Sequence, residues 1–341
     1  MSAPRIGITM GDPAGIGPEI ILKAAAALRP RLAAGELGLV VIGSARTFAA
    51  TAAALGLANP LMPAVAAKDG APALVDIDDG ADAITPGSVS AAAGRLAYRA
   101  IAEGVRLAMA GEIAGICTGP ISKDALNQAG HHYSGHTELL ADLTGARDSV
   151  MMLAHGNMRV SHVTTHVALR KVPERLTPER LRRVVHLTRE ALGHLGIASP
   201  RIAVAALNPH GGEGGLFGTE DIEVSAPTIA ALRAEGYDVS GPVPGDTVFV
   251  RLRAGQFDAV VAMYHDQGHI PVKLLGFEVD PTTGAWNALS GVNVTLGLPI
   301  IRTSVDHGTA FDIAGKGTAS ERSLLEAIDF AALLSRRRST P

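Results

Sequence analysis

One cysteine in 341 residues, Cys117, leaves no partner for an internal disulfide. Its setting, the apolar run from Ala114 to Thr118, reads as a buried strand with an inert thiol. Aromatic residues make up only 4% of the chain, and 30 basic side chains nearly balance 33 acidic ones. A basic stripe with interleaved aromatics, the usual footprint of a nucleic-acid surface, is therefore absent, and no nucleic acid is expected as a partner. Anionic ligands would have to be met locally. No apolar stretch approaches the roughly 18 residues that cross a bilayer, so no membrane partner is expected. The first residues run directly into an apolar segment, Arg5 to Thr9, without a basic region, a long apolar stretch and a cleavage site in series, and the expectation is a cytoplasmic protein. Also missing are a GxGxxG dinucleotide fingerprint, an internal repeat and a low-complexity linker.

What the chain does have is bulk: a hydrophobic content of 47% excludes disorder, and the length suffices for two packed domains or one large α/β unit with a cleft. Short β-rich runs recur at Arg5 to Thr9, Leu39 to Ile42, Ile113 to Thr118, Arg159 to Thr165, Arg201 to Leu207 and Asp258 to Met263. Alanine- and leucine-rich helical stretches separate them, which argues for α/β layers. Pro18 and Glu19 open one helix; Thr177, Pro178 and Glu179 supply an N-cap, a first-turn proline and an acid for another, ending near Gly193 or Gly196. Between Ser90 and Ala110, the near-helical spacing of Leu96, Ile101, Val105 and Met109 predicts a long amphipathic helix.

Glycine and histidine gather where apolar strands end, the place where α/β proteins bind ligands. In Thr9 to Glu19, Gly11, Gly15 and Gly17 lie between a strand and a proline-started helix, so backbone N–H groups could approach an anion. A tight structural turn is the other reading of that segment, and Asp12 could orient a ligand or cap the turn. Of the 12 histidines, His166, His210 and His265 each stand where a strand meets a loop and could converge above a sheet. His162 and His166 invite a zinc-helix reading, but the Val-Thr-Thr between them favours a strand. At about 3.3 Å per residue that puts their Cα atoms about 13 Å apart, too far to share an ion, so His162 is set aside as structural. Three neutral imidazoles with an open position would suit a catalytic divalent metal. Lys273 and Arg302, near glycine-rich loops, could clamp phosphate or carboxylate.

Together these motifs resemble one family, the 4-hydroxythreonine-4-phosphate dehydrogenases and their close paralogues. The matches run over nearly the whole chain: MGDPAGIGPE at 10–19, TGPISK at 118–123, GHTELLA at 135–141, VTTHVALRK at 163–171, LNPHGGE at 207–213, GDTVF at 245–249, AMYHDQGHIPVKLLGF at 262–277 and GVNVTLGLPIIRTSVDHGTAFDIAGKG at 291–317. The resemblance implies that His166, His210 and His265 bind one divalent metal (Zn, Mg or Co), and that His136, Thr137, Lys273, Asn293 and Arg302 contact a phosphorylated substrate. Asp306 to Gly315 looks like the adenosine-binding loop of the wider isocitrate and isopropylmalate dehydrogenase group, whose GDGIGPE turn is similar to the opening loop here. NAD, with NADP possible, would accordingly be met by Gly11, Asp12, Gly15, Gly17, His307, Gly308, Ala310 and Asp312. The implied fold is two α/β/α domains with the active site in a cleft between them, residues 1–130 plus 295–341 and residues 131–294. The implied reaction is oxidation of a hydroxy acid followed by decarboxylation, in a homodimer whose active site lies at the subunit interface. Asp246 and Asp266 are candidate bases, with Asp246 preferred, although a carboxylate could equally orient a metal-bound histidine.

Two departures stand out. Residues 278–290, including Trp286, form an extra segment between Lys273 and Asn293 whose Asp-Pro-Thr-Thr-Gly turn suits a short hairpin. It is either a solvent-facing decoration or a device that reshapes the substrate pocket. His269-Ile270-Pro271 and Phe311-Asp312-Ile313 look closer to paralogues that oxidise 4-phospho-D-threonate or 4-phospho-D-erythronate. A dehydrogenase of a non-phosphorylated dihydrodiol and a non-catalytic metabolite-binding protein are the remaining alternatives.

Overall fold

A computed structural model describes the chain except residues 1, 2, 69, 79, 81–83, 134, 280, 283–285 and 339–341 and the side chains of 286–289, 337 and 338. The chain divides into two compact units, Met1–Ser149 with Leu298–Pro341, and Val150–Gly297.

Unit 1 begins β1 (Arg5–Thr9), α1 (Gly17–Ala27), α2 (Arg29–Ala33), β2 (Gly38–Gly43), α3 (Ala45–Leu55), β3 (Met62–Pro63) and β4 (Ala73–Asp76). It continues α4 (Ala91–Met109), β5 (Gly115–Thr118), α5 (Lys123–Gln128) and α6 (His136–Thr144). Unit 2 supplies β6 (Val150–His155), β7 (Met158–His162), α7 (Val172–Arg175), α8 (Pro178–His194), β8 (Ile202–Ala205), α9 (Ala226–Ala234), β9 (Val239–Val243) and α10 (Gly245–Arg253). Then come β10 (Ala259–Ala262), α11 (His265–Gly276), β11 (Phe277–Val279), β12 (Trp286–Leu289) and β13 (Val292–Leu296), before β14 (Arg302–Val305) and α12 (Arg322–Arg338) return to unit 1.

In unit 1 the strands run β3-β4-β2-β1-β5-β14, every pairing parallel. Both faces of such a sheet need cover, and Ile6 and Ile8 on β1 with Val41 and Ile42 on β2 are fully buried. The long helix expected from residue 90 onward is α4: Ser90 Oγ accepts the Ala93 N–H at 3.2 Å, and Leu96, Ile101 and Val105 enter the core. Met109, counted on that apolar stripe, is the last residue of the helix and 53% exposed. α6 packs on α4, so residues 131–149, which the sequence reading places in the central domain, fall in unit 1.

Unit 2 orders its strands β13-β6-β7-β10-β8-β9, antiparallel at the β13-β6 and β6-β7 pairs and parallel beyond. Thr177 caps α8 as expected, its Oγ1 accepting the Arg180 N–H at 3.2 Å. The strand expected over 159–165 ends at His162, but the chain stays alongside β10, with Val163 N donating to Ala262 O and Thr164 N to Met263 O. The extra segment forms a hairpin: β11 and β12 pair antiparallel, Phe277 opposite Leu289 and Glu278 opposite Ala288. Most of the turn, and the Trp286 side chain, lie outside the described residues.

Candidate active site

In unit 1 the loop from Gly11 to Gly17 is buried throughout. Four of its amides are already occupied: Asp12 N donates to Pro120 O, Ala14 N to Asp12 Oδ1, Gly15 N to Asp12 O and Ile16 N to Thr309 O, all within 2.8–3.1 Å. Those protons are therefore not on offer to an anion. Glycine is required here by close packing, since a Cβ on Gly11 would lie 2.4 Å from Pro120 O and one on Gly17 2.2 Å from Met10 O. Asp12 is fully buried, and burial pushes its carboxyl up to about 6, offset in part by the Ala14 N–H. Across this loop lies segment 306–319, which carries His307, Gly308, Ala310 and Asp312. Gly308 and Asp312 are exposed, while burial lowers the His307 pKa below its ordinary value. Ala310 is held in the left-handed region at φ 45°.

A second group of unit 1 residues gathers around Arg302 on β14. The side chain is 3% exposed, and Nη2 donates to Thr118 Oγ1 at 2.8 Å. Burial brings its pKa down to about 10, so the guanidinium remains charged at neutral pH. His136, the first residue of α6, senses this charge: burial, then Arg302, hold its pKa well below the ordinary value, against a hydrogen bond with the Gly119 backbone. Its Nε2 is buried without a hydrogen-bond partner, although the residue as a whole is partly exposed. Thr137 follows in the same first turn, where helix amides favour negative charge. A fixed cation, a neutral imidazole and a helix start suit a phosphate or carboxylate. Cys117 lies beside them, buried and pushed up to about 12, a thiol with no nucleophilic form at neutral pH.

Unit 2 holds the three histidines singled out for metal. The His166 and His265 rings have centroids 5.8 Å apart. Two imidazoles sharing an ion at about 2.0–2.1 Å from each nitrogen place their centres roughly that far apart, so this pair fits a metal. His265 Nδ1 lies 2.7 Å from Asp266 Oδ1; a carboxylate can only accept, so Nδ1 carries the proton and Nε2 offers its lone pair. His210 occupies a different backbone setting, at φ 52° in the glycine-rich turn Pro209–Gly215, with its ring 6.5 Å from Phe217. Among the described residues no three His, Cys, Asp or Glu side chains gather closely enough to hold an ion. His162, set aside from sequence, is fully buried and pulled down to about 3 by burial, its Nδ1 donating to Met151 O at 3.2 Å. Its ring tilts against His269, 4.7 Å away, and His269 stacks on His265 at 3.7 Å.

Lys273 places its ammonium 5.0 Å over the Phe277 ring, and Asn293 on β13 keeps a buried Oδ1 without a hydrogen-bond partner. Asp246 stands exposed in the first turn of α10. Sequence reasoning missed two residues that fix the histidine-bearing strand ends. Gln267 Oε1 accepts the Met263 N–H at 2.7 Å while Nε2 donates to Ala206 O at 2.8 Å, tying the end of β10 to the end of β8. Asp221, fully buried, accepts the Leu207 and Asn208 amides at 2.9 Å each, immediately before His210. Gln267 lies two residues beyond a candidate ligand and was a visible clue; Asp221, eleven residues from His210 in sequence, gave none.

Comparison with known proteins agrees with this arrangement of motifs. A Bradyrhizobium diazoefficiens protein, provisionally named a D-threonate 4-phosphate dehydrogenase, is 66% identical over 98% of both chains. A 4-hydroxythreonine-4-phosphate dehydrogenase of Geobacter metallireducens is 48% identical, covering 98% of this chain and 96% of its own. The 4-hydroxythreonine-4-phosphate dehydrogenase of Klebsiella pneumoniae, a crystal structure, superposes with a TM-score of 0.84 at 44% identity, covering 99% of both chains. Residues 36–331 match the family model described as pyridoxal phosphate biosynthetic protein PdxA, and the chain belongs to that family of dehydrogenases.

Proposed function

We propose that the chain oxidises a phosphorylated four-carbon hydroxy acid with NAD and a divalent metal, and that D-threonate 4-phosphate is its substrate. The observation that carries the substrate is the 66% identity, over nearly all of both chains, to the protein of that provisional name. The second reading, 4-hydroxythreonine 4-phosphate, draws on the Geobacter and Klebsiella relatives. The two acids differ at the 2-position, hydroxyl against amino, and share the groups that the residues above would hold.

Arg302, with the start of α6 and His136, would receive the phosphate. His136, neutral at pH 7 with its one ring N–H engaged by the Gly119 backbone, would line the phosphate without adding a charge. Lys273 and Asn293 would meet the remaining oxygens. His166 and His265, already at a suitable spacing, would hold the metal with His210 as third donor. A divalent ion held there would supply Lewis acidity to the substrate's hydroxyl oxygen. Asp266 would hold His265 in the donor tautomer, which leaves Asp246 as the base for the hydroxyl proton. Segment 306–315 would carry the dinucleotide, and the active enzyme would be a homodimer.

The test is NAD reduction by D-threonate 4-phosphate, D-erythronate 4-phosphate and 4-hydroxy-L-threonine phosphate, with metal added. The highest kcat/KM is expected for D-threonate 4-phosphate; preference for the amino acid substrate would establish the second reading. His210→Ala protein that keeps full metal content and activity would count decisively against the metal assignment.

A further inference from the structure

Segment 306–319 forms no helix or strand, and only two hydrogen bonds among its own described backbone groups are evident, Ile313 N to Ala310 O and Lys316 N to Ile313 O, both 3.1 Å. A stretch of this kind takes its path from whatever holds it. Near its start, Ile16 N donates to Thr309 O at 3.0 Å. At its far end the holder is an ion pair on α1. Lys23 Nζ donates to Gly317 O at 3.0 Å, to Ala319 O at 2.6 Å and to Glu19 Oε1 at 2.7 Å. The same Glu19 oxygen accepts the Ala319 N–H at 2.9 Å. Three main-chain groups therefore end on one pair of side chains, a helical turn apart, with Glu19 2% and Lys23 20% exposed.

A buried ion pair adds little net stability over an apolar replacement, because desolvation offsets the attraction. What it does supply is geometry, through short, directional, charge-assisted bonds. Neither residue is among those that would touch substrate, metal or cofactor. Their bonds converge on the one segment that carries His307, Gly308, Ala310 and Asp312, including an alanine held at φ 45°.

We propose that Glu19 and Lys23 are positioning residues for the dinucleotide, a clasp that fixes segment 306–319 in the shape that receives it. The proposal rests on the assignment of that segment to NAD made above. It gives Glu19, the last residue of the GDPAGIGPE stretch, a task inside the protein: the glutamate holds the neighbouring loop instead of the ligand.

The test uses the full-length protein and NADH as probe. Removing both charges together, in Glu19→Gln/Lys23→Met, avoids stranding a buried charge. The NADH dissociation constant should rise about tenfold, the equivalent of one lost charge-assisted hydrogen bond. At saturating dinucleotide, kcat and the KM of the phosphorylated substrate should move less than about twofold, and Lys23→Arg alone should retain wild-type NADH affinity. Unchanged NADH affinity, or an equal loss in every parameter, overturns the clasp. Hydrogen exchange on the wild-type protein needs no variant: the Ala319 amide, held by Glu19, should be protected, and more so with NADH, whereas an unprotected Ala319 amide indifferent to NADH overturns it as well. Wild-type protein that binds no dinucleotide at all would instead overturn the assignment of the segment, and the clasp with it.

Discussion

Asp12 shows how one buried carboxyl can set a pH dependence for the whole protein. Burial raises its pKa from 3.8 to about 6, so the folded chain holds that proton more tightly than the unfolded chain does. The resulting stabilisation is complete below 3.8 and is lost as pH rises through about 6. Asp12→Asn keeps an oxygen for the Ala14 amide and removes the ionisation. Relative to wild type it should gain stability across that window, on the order of 3 kcal/mol by pH 7 in urea unfolding; a difference that stays flat with pH would refute the assignment. Gln267 offers a second residue-level test. Gln267→Met cuts the link between the ends of β8 and β10 while preserving bulk, and metal affinity measured against a chromophoric chelator should fall about tenfold with the circular dichroism spectrum unchanged. Equal affinity would mean that the strand ends hold their histidines unaided.

For the elements, local signals carried far where a cap or a periodicity was strong. Ser90 and Thr177 start α4 and α8 as their side chains dictate, because a capping oxygen acts within three residues. Strand ends were less legible: β7 stops at His162 while its continuation still bonds to β10, a distinction set by the neighbouring strand. The antiparallel pair β6 and β13 and the strand β14 were not anticipated, since a short apolar run takes its identity from its partners. Helix packing yields a sign reversal. An exposed Gly→Ala change inside a helix normally stabilises by about 1 kcal/mol. At Gly94 in α4 the added Cβ would lie 1.9 Å from Ala125 O, in the backbone of α5. Gly94→Ala should therefore destabilise by at least about 2 kcal/mol in urea unfolding; a raised midpoint would show that α5 can move away freely.

At the level of the molecule, the proposed ligands bind the native chain alone, so their removal should be read in stability as well as rate. An ion at 100 times its dissociation constant adds about 2.7 kcal/mol. Treatment with a chelator should lower the thermal midpoint and abolish NAD reduction, and Zn, Mg or Co should restore both; a chelated protein unchanged in both respects would end the metal reading. The sequence by itself determined the α/β class, the family, and a set of strand-end residues that includes His166 and His265, because strand-end chemistry is written in contiguous motifs. Its removal of His162 from the metal set assumed a strand running on to residue 165, whereas the strand ends at His162. Only the tertiary structure decided what surrounds those residues: that four amides of the Gly11–Gly17 loop are spent internally, that Gln267 and Asp221 brace the histidine strands, and that Glu19 and Lys23 hold segment 306–319. The physical reason is distance along the chain, for Glu19 and Ala319 are separated by 300 residues and meet only when the strands between them have been laid side by side.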